Sequence, residues 1–379
     1  MKKIIVVCFI VICLIQCSSP DKEITGGGIL IEFGDIEKIN TALLDDLDFV
    51  KLGTNEECLI EEIRQIEIFN ERIYILDRFG VNVFGLDGKF IQNIKISGSG
   101  PGEFTFPYSF WIDKTGYILI MDQQLMRVLK YNIDNFEFIE NIKIPHTGPI
   151  GFAIMPGNDM FIYYNAFNPK RNTTKLVFIA NKTGDIQTEL FEGNPSGKVL
   201  HGNNSNFYIQ DNEMRFYPFF SNTVYSIISD SLHVKYRLNF KEHKLPDRKL
   251  FTKHRYSRDI MRELIDDNNN YIRLIHVLET DMDLTVKYFI KGDLYVCAYN
   301  KESGKTIRFK YGQVIDDIGI GGQFPIPVGT YENRIIGEIR PSDFDRQQVK
   351  NNQLKELTEE LSEEDNPILV FYNIKFQQQ

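Results

Sequence analysis

Short apolar runs recur along the chain between polar turn signals. In the stretch from Glu71 to Pro107 the runs are Ile73-Tyr74-Ile75-Leu76, Val81-Asn82-Val83-Phe84 and Phe90-Ile91 to Ile96. Leu86-Asp87-Gly88-Lys89 predicts a tight turn, because Gly accepts the positive φ that a hairpin turn requires. Gly98-Ser99-Gly100-Pro101-Gly102 predicts a loop between units. The first run is apolar at every position, which predicts a strand covered on both faces. Small antiparallel sheets covered on both faces are the blades of a propeller.

The pattern repeats. A hairpin turn followed by an apolar strand is read at Asn70-Glu71-Arg72, Lys114-Thr115-Gly116, Gly157-Asn158-Asp159, Asp211-Asn212-Glu213, Lys291-Gly292-Asp293 and Glu332-Asn333-Arg334. The first three lie about 43 residues apart, a spacing suited to blades of four strands. Second strands are expected at Val81–Phe84, Val128–Tyr131, Leu176–Ile179, Thr223–Ile228, Thr306–Phe309 and Ile368–Tyr372. Before the first turn, Ile63, Ile66 and Ile68 alternate with Arg64 and Glu67, which predicts a further strand.

Two intervals are too long for a bare repeat. From Asp247 to Asn270, residues Leu250, Phe251, His254, Met261, Leu264 and Ile265 fall on one helical face, with Asp247 as N-cap. One inserted helix is expected there. A second insert opens at Pro341-Ser342-Asp343, and Leu354, Leu357 and Leu361 mark a helix ending before Asn366-Pro367. The last repeat runs out of chain after Ile368–Phe376, so its outer strand must come from elsewhere. The segment Asp48–Leu52 is available, and closure of a ring removes exposed sheet edges. The expected fold is therefore all-β: a six-bladed β-propeller with two short helical insertions, spanning residues 29–379 as one domain.

Composition supports this. Aromatic residues make up 13% of the chain, and short strands rich in Ile, Phe, Tyr and Val favour an all-β fold. The formal charge of −9 argues against a nucleic-acid partner, which calls for a basic stripe. At the N-terminus, Lys2-Lys3 precedes an apolar run from Ile4 to Ile15, too short to span a bilayer. Leu14-Ile15-Gln16-Cys17 then resembles a bacterial lipobox, although Gln16 stands where a small residue is usual. Residues 1–17 read as a lipoprotein signal peptide with Cys17 as the lipidation site, and residues 18–28 as a flexible tether. A plain signal peptide or an uncleaved anchor would equally place the body outside the cytoplasm. Of the cysteines beyond Cys17, Cys8 and Cys13 lie in the apolar run, and Cys58 and Cys297 read as buried thiols without a CxxC companion.

Ile75-Leu76-Asp77, Leu86-Asp87-Gly88-Lys89-Phe90, Gly100-Pro101-Gly102-Glu103-Phe104, Tyr299-Asn300-Lys301 to Lys305 and Asn366-Pro367-Ile368-Leu369-Val370-Phe371-Tyr372 carry a resemblance. Taken in order, they resemble the six-bladed β-propeller lipoproteins of Bacteroidetes, relatives of NHL-repeat and TolB-like propellers. The resemblance implies a lipid-anchored envelope protein, in the outer membrane and facing the periplasm or the surface. It implies no reaction, since a fold alone does not supply one.

Candidate chemistry is sparse. Asp77 and Asp122 recur at one place in two repeats, which suits carboxylates that accept backbone N–H groups of their own turns. The Gly98–Gly102 stretch opens no helix, so it is not a phosphate loop. His146, His201, His233, His243, His254 and His276 show no metal-ligand spacing. No catalytic residue, metal or cofactor is assigned. Loops after the first apolar strand of each repeat open on one face, placing Arg78, Phe79, Gln123, Arg127, Tyr164 and Asn165 there as ligand-binding candidates. Lys249, Lys253, Arg255, Arg258 and Arg262 make the inserted helix basic. Lys253 and Arg258 are candidates if it forms a lid for an anionic ligand, and otherwise the charges solvate a helix face. The expected role is a monomeric, non-catalytic binding or scaffolding module for a glycan, peptide or envelope protein. The alternative is a metal-dependent hydrolase or lyase with its site at the central channel.

Overall fold

A computed structural model describes residues 24–376 apart from 26, 96, 146–147, 158, 166–174, 193–205, 255, 267–268 and 323. Six antiparallel blades surround a central channel. Counting outward from the channel, blade 1 is Gln65–Phe69, Arg72–Leu76, Val81–Gly85 and Phe90–Ile94. Blade 2 is Pro107–Asp113, Tyr117–Asp122, Arg127–Asn132 and Phe138–Lys143. Blade 3 is Pro149–Ile154, Phe161–Asn165, Lys175–Ala180 and Ile186–Glu192. Blade 4 is Phe207–Gln210, Glu213–Phe216, Thr223–Ile228 and Ser231–Asn239. Blade 5 is Arg273–Glu279, Asp283–Ile290, Asp293–Asn300 and Thr306–Lys310. Blade 6 combines Ile326–Tyr331, Arg334–Ile339 and Ile368–Ile374 with the N-terminal strand Leu44–Lys51.

The second strands of blades 1 to 3 and the third strands of blades 1 and 3 are buried at nearly every position, because a neighbouring blade covers each face. Outer strands such as Phe90–Ile94 and Phe138–Lys143 are mostly exposed or half-buried. The core lies between blades rather than within them. Tyr74, Leu76 and Val83 of blade 1 pack with Phe110, Ile118 and Leu129 of blade 2. Val328, Ile336 and Leu369 of blade 6 pack with Ile66, Ile73 and Phe84 of blade 1. At the turns Asn70-Glu71 and Asp211-Asn212 both central residues take positive φ, as a type I′ hairpin demands.

Blade 5 departs from the expected register. Lys291-Gly292 joins its second and third strands, so Thr306–Lys310 is the outer strand rather than the second in from the turn. The first turn is Thr280-Asp281-Met282, which carries no Gly or Asn. Thr280 holds it instead, donating its backbone N–H to the Asp283 carbonyl at 2.9 Å and accepting the Asp283 N–H on Oγ1 at 3.0 Å.

The insert after blade 4 is two helices, not one: α1, Arg248–Lys253, and α2, Ser257–Ile265. Asp247 caps α1, accepting the Lys249 N–H at 2.8 Å. Leu250, Phe251, Ile260 and Leu264 converge on one small core with Phe220 and Tyr271. In a single helix, Leu250 and Leu264 would stand about 20 Å apart along the axis, so the chain must fold back. The insert of blade 6 lies between its second and third strands and carries α3, Asn352–Thr358, capped by Asn351.

The N-terminal segment is a belt. Ile24–Thr25 and Ile29–Glu32 pair in parallel with the outer strand of blade 4, so residues 24–25 and 29–32 cover that edge. Part of the stretch expected as a tether is therefore bound to the ring, because the backbone groups of an open outer strand need partners. The belt passes blade 5, where the Glu37 backbone N–H donates to the Arg308 carbonyl at 2.8 Å and Ile39–Asn40 pairs with Val314–Ile315. It ends as the outer strand of blade 6. Cys17 and residues 18–23 lie outside the described residues.

Candidate functional site

In a four-stranded meander, turns between first and second strands lie on one face of the ring, and loops between second and third strands on the other. The channel, about 710 Å³ in volume, is walled by the first strands and reaches the first-turn face through Asp113, Lys114, Met155, Asp159 and Asn212. Its wall is mixed. Trp111, the chain's single tryptophan, stands there with Tyr208, Tyr217, Phe69 and Phe207. Among them are Gln65, Glu67, His276 and Glu279.

Two features hold the wall. Gln65 bridges the first strands of blades 1 and 2: its Nε2 donates to the Phe110 carbonyl at 2.8 Å and its Oε1 accepts the Phe110 N–H at 3.1 Å. This side chain replaces the ladder hydrogen bonds that neighbouring blades do not share. Glu279 ties blade 5 to blade 4. Its carboxylate accepts from the hydroxyls of Tyr208 at 2.8 Å and Tyr236 at 2.7 Å. Lys301 Nζ lies 2.8 Å and Arg215 Nε 3.6 Å away. Arg215 is fully buried and also donates to Glu213 and to Ser226 Oγ. Burial, reinforced by the negative Glu279, pushes the Tyr208 phenol well above its ordinary range, so it stays a donor.

Glu67 is different. Its side chain is open to the channel, yet the ring surrounds it, and burial pushes its carboxyl up to about 7, opposed only by a hydrogen bond with Gln65. No Lys or Arg stands within ion-pair distance of it among the described residues. His276 is nine-tenths buried in the wall contributed by blade 5 and its Nδ1 has no hydrogen-bond partner. Burial, with Lys287 adding, holds its imidazole neutral, well below the ordinary range.

The residues chosen from sequence lie on the other face, and none of them walls the channel. Arg127 donates to the carbonyls of Gly100 at 3.1 Å and Glu103 at 2.6 Å. Gln123 donates to the Pro149 carbonyl at 2.8 Å. Tyr164 is buried among Phe191, Phe216 and Phe219, and Asn165 is fully buried with its amide unpaired. Arg78 stacks over the exposed ring of Phe79, 4.4 Å from its centroid, and meets Glu61 at 3.2 Å. Lys253 pairs with Glu263 at 3.0 Å and Arg258 with Asp259 at 3.7 Å, both on the solvent side of the helical insert. The structure thus spreads these eight over separate blades instead of bringing them together.

Asp77 accepts the N–H groups of Phe79 at 2.7 Å and Gly80 at 2.9 Å, and Asp122 those of Gln124 and Leu125, both at 3.0 Å, so each organises its own turn. Cys58 and Cys297 are buried free thiols. His146, His201 and Arg255 lie outside the described residues. Among the described residues no three His, Cys, Asp or Glu are placed to hold a metal ion.

The wall residues carry little signal in the sequence because they sit on the first strands, whose apolar–polar alternation is weak. The one usable signal was Glu67 between Ile66 and Ile68: a charged residue on a strand that a closed ring must turn toward its axis.

Residues 37–373 match the family model described as "Domain of unknown function (DUF4934)". The chain belongs to this family. A crystal structure of a Bacteroides fragilis protein named "Putative exported protein" is similar over 92% of this chain and 100% of that one, with 23% identity and a TM-score of 0.80. This confirms the propeller for the DUF4934 chain. Virginiamycin B lyase from Staphylococcus aureus aligns over 87% of this chain and 99% of its own with 12% identity, but the TM-score of 0.44 supports no argument. No curated protein matches the sequence.

Proposed function

We propose that the chain is an exported, non-catalytic binding module of the bacterial envelope, which takes its ligand in the central channel. In this reading it is a propeller lipoprotein of the Bacteroidetes kind with NHL-like repeats, held to the membrane by lipid on Cys17 and otherwise monomeric. The observation that carries it is the channel: a preformed cavity of about 710 Å³ with an aromatic platform and a few converging polar groups. Such a wall is what a ligand site needs, since apolar faces supply burial and fixed polar groups supply specificity. The basic and apolar N-terminus ending at Cys17, and the match to a protein named as exported, support the location.

Trp111 makes the test direct, because its fluorescence reports on the channel alone. A panel of glycans, peptides and divalent metals is expected to contain a compound that changes Trp111 emission saturably. At 100 times its Kd the same compound should stabilise the protein by about 2.7 kcal/mol. A response confined to metals and reversed by EDTA would sink the non-catalytic reading. For the anchor, Cys17→Ala is expected to shift the protein from the membrane to the soluble fraction; unchanged partitioning would remove it.

A further inference from the structure

The mouth of the channel is ringed by the first turns of the blades. Each of the six carries at least one carboxylate: Glu71, Asp113, Asp159, Asp211, Asp281 and Glu332, of which Asp113 and Asp159 line the channel itself. Five of these have no Lys or Arg within ion-pair distance among the described residues; Asp211 reaches Arg215 at 3.4 Å, a guanidinium already serving Glu213 and Glu279. Lys114, Arg72 and Arg334 are the cations at these turns; Arg72 donates to the Ile133 carbonyl at 3.0 Å and Arg334 to Asp48 at 2.6 Å. Two residues inward from the mouth end of its strand, about 7 Å deeper, lies Glu67.

We propose that the channel binds an aliphatic ligand bearing two or more ammonium groups, one end held at Glu67 and the other at the carboxylate ring. This deepens the binding reading above and rests on it. Three independent features converge. A ring of like charge around a low-dielectric channel focuses its potential inward and draws cations to the mouth. Glu67 is a carboxylate without a cation in a confined site, where a partner charge is worth far more than in water. Trp111 and Tyr208 share the wall, and an ammonium gains from the face of an aromatic ring. His276, neutral in the wall, adds no positive charge to compete with the ligand. The depth of Glu67, about 7 Å below the mouth end of its strand, suits charges separated by a short alkyl chain. Such an ammonium could belong to a free polyamine or to the lysine side chain of a peptide.

Binding is coupled to the ionisation of Glu67. The other ionisable groups on the wall are Arg64, Asp113, Lys114, Asp159, Tyr208, Tyr217, His276 and Glu279, with Arg215 and Lys301 behind Glu279. Because the carboxyl is raised, the cation-binding form grows as pH rises through about 7.

The test is titration of the purified full chain with spermidine and, separately, trilysine, followed by Trp111 emission. A saturable response is expected to tighten several-fold from pH 6 to pH 8 and to weaken at least tenfold in Glu67→Gln, an isosteric change. It should weaken several-fold in the double variant Asp159→Asn, Glu332→Gln and with added salt. N-acetylation of the terminal amines of spermidine should abolish it. Response to both probes or to spermidine alone marks a free polyamine as sufficient; response to trilysine alone marks a peptide side chain as the source. A saturable response unchanged in Glu67→Gln overturns the proposal. So does silence to both probes while a neutral glycan or peptide perturbs Trp111, an outcome that leaves the channel-binding reading standing. If no compound perturbs Trp111 or the melting point, both readings fail.

Discussion

Deleting residues 44–51 is expected to abolish the single cooperative thermal transition of the entire propeller, not merely to fray blade 6. Leu44–Lys51 is the fourth strand of that blade, paired along Ile368–Ile374 from Lys51 opposite Ile368 to Leu44 opposite Ile374. Its loss exposes a row of backbone donors and acceptors on Ile368–Ile374, each costly to leave unpaired if covered and a template for aggregation if open. It also removes Leu44 and Phe49, both nearly buried in the core between blades 5 and 6. The effect spreads because the strand continues into the next blade. Gly53 donates to the Gly88 carbonyl at 2.8 Å, and a Cβ at Gly88 would stand 2.1 Å from the Lys51 carbonyl oxygen, so the strand is seated directly on blade 1. A ring held by contacts between neighbours has no weaker state in which one interface is open and the others are intact. Circular dichroism melting should show a broad transition far below the full chain's, with dye binding to exposed apolar surface. A sharp transition at the full chain's midpoint would show that the closure contributes nothing. Phe49→Ala, which keeps the strand, should cost about 3–5 kcal/mol and retain cooperativity.

The second large effect is expected at Glu279. Its carboxylate is buried, yet it receives two hydroxyls and a lysine ammonium at hydrogen-bond distance and faces a buried guanidinium. Replacing the pair by apolar residues could be neutral, but removing one member leaves the others buried without a counter-charge. Glu279→Ala should therefore lower stability by about 3–5 kcal/mol, read from denaturant midpoints. Lys301→Met should cost less, since Lys301 is partly open to solvent and also meets the Thr280 carbonyl at 2.5 Å. The Glu279–Lys301 double variant should show coupling rather than additivity. A loss below about 1 kcal/mol for Glu279→Ala would mean that the network is solvated and does not hold blades 4 and 5 together. Because Tyr208 is both a donor to Glu279 and part of the channel wall, the same variant should also broaden Trp111 emission.

Much of the fold was legible in particular residues. Ile73–Leu76 and Val81–Phe84 announced middle strands because both faces are covered, which makes apolar runs continuous. Asn70-Glu71 and Asp211-Asn212 announced turns because their backbone must take positive φ. Where a turn used another device the reading slipped. Thr280 closes the first turn of blade 5 with its hydroxyl, so the Gly-bearing turn at Lys291-Gly292 gives the stronger signal in the sequence. The inserted helix showed one apolar face, and only packing against Phe220 and Tyr271 required it to break.

The site was less legible. A polar residue just after a strand has the same signature whether it meets a ligand or fastens the next loop. Arg127 and Gln123 proved to hold backbone carbonyls of neighbouring segments. By itself, then, the sequence determined the number of blades, the position of most strands and the shortage of one outer strand, because each follows from local periodicity and turn chemistry. Only the tertiary structure decided that the N-terminal segment runs as a belt past blades 4, 5 and 6. It alone decided, too, that Glu67, Trp111, Tyr208 and His276 share one channel. Those residues are up to about 200 positions apart, and nothing local encodes which strand of a closed ring faces its axis.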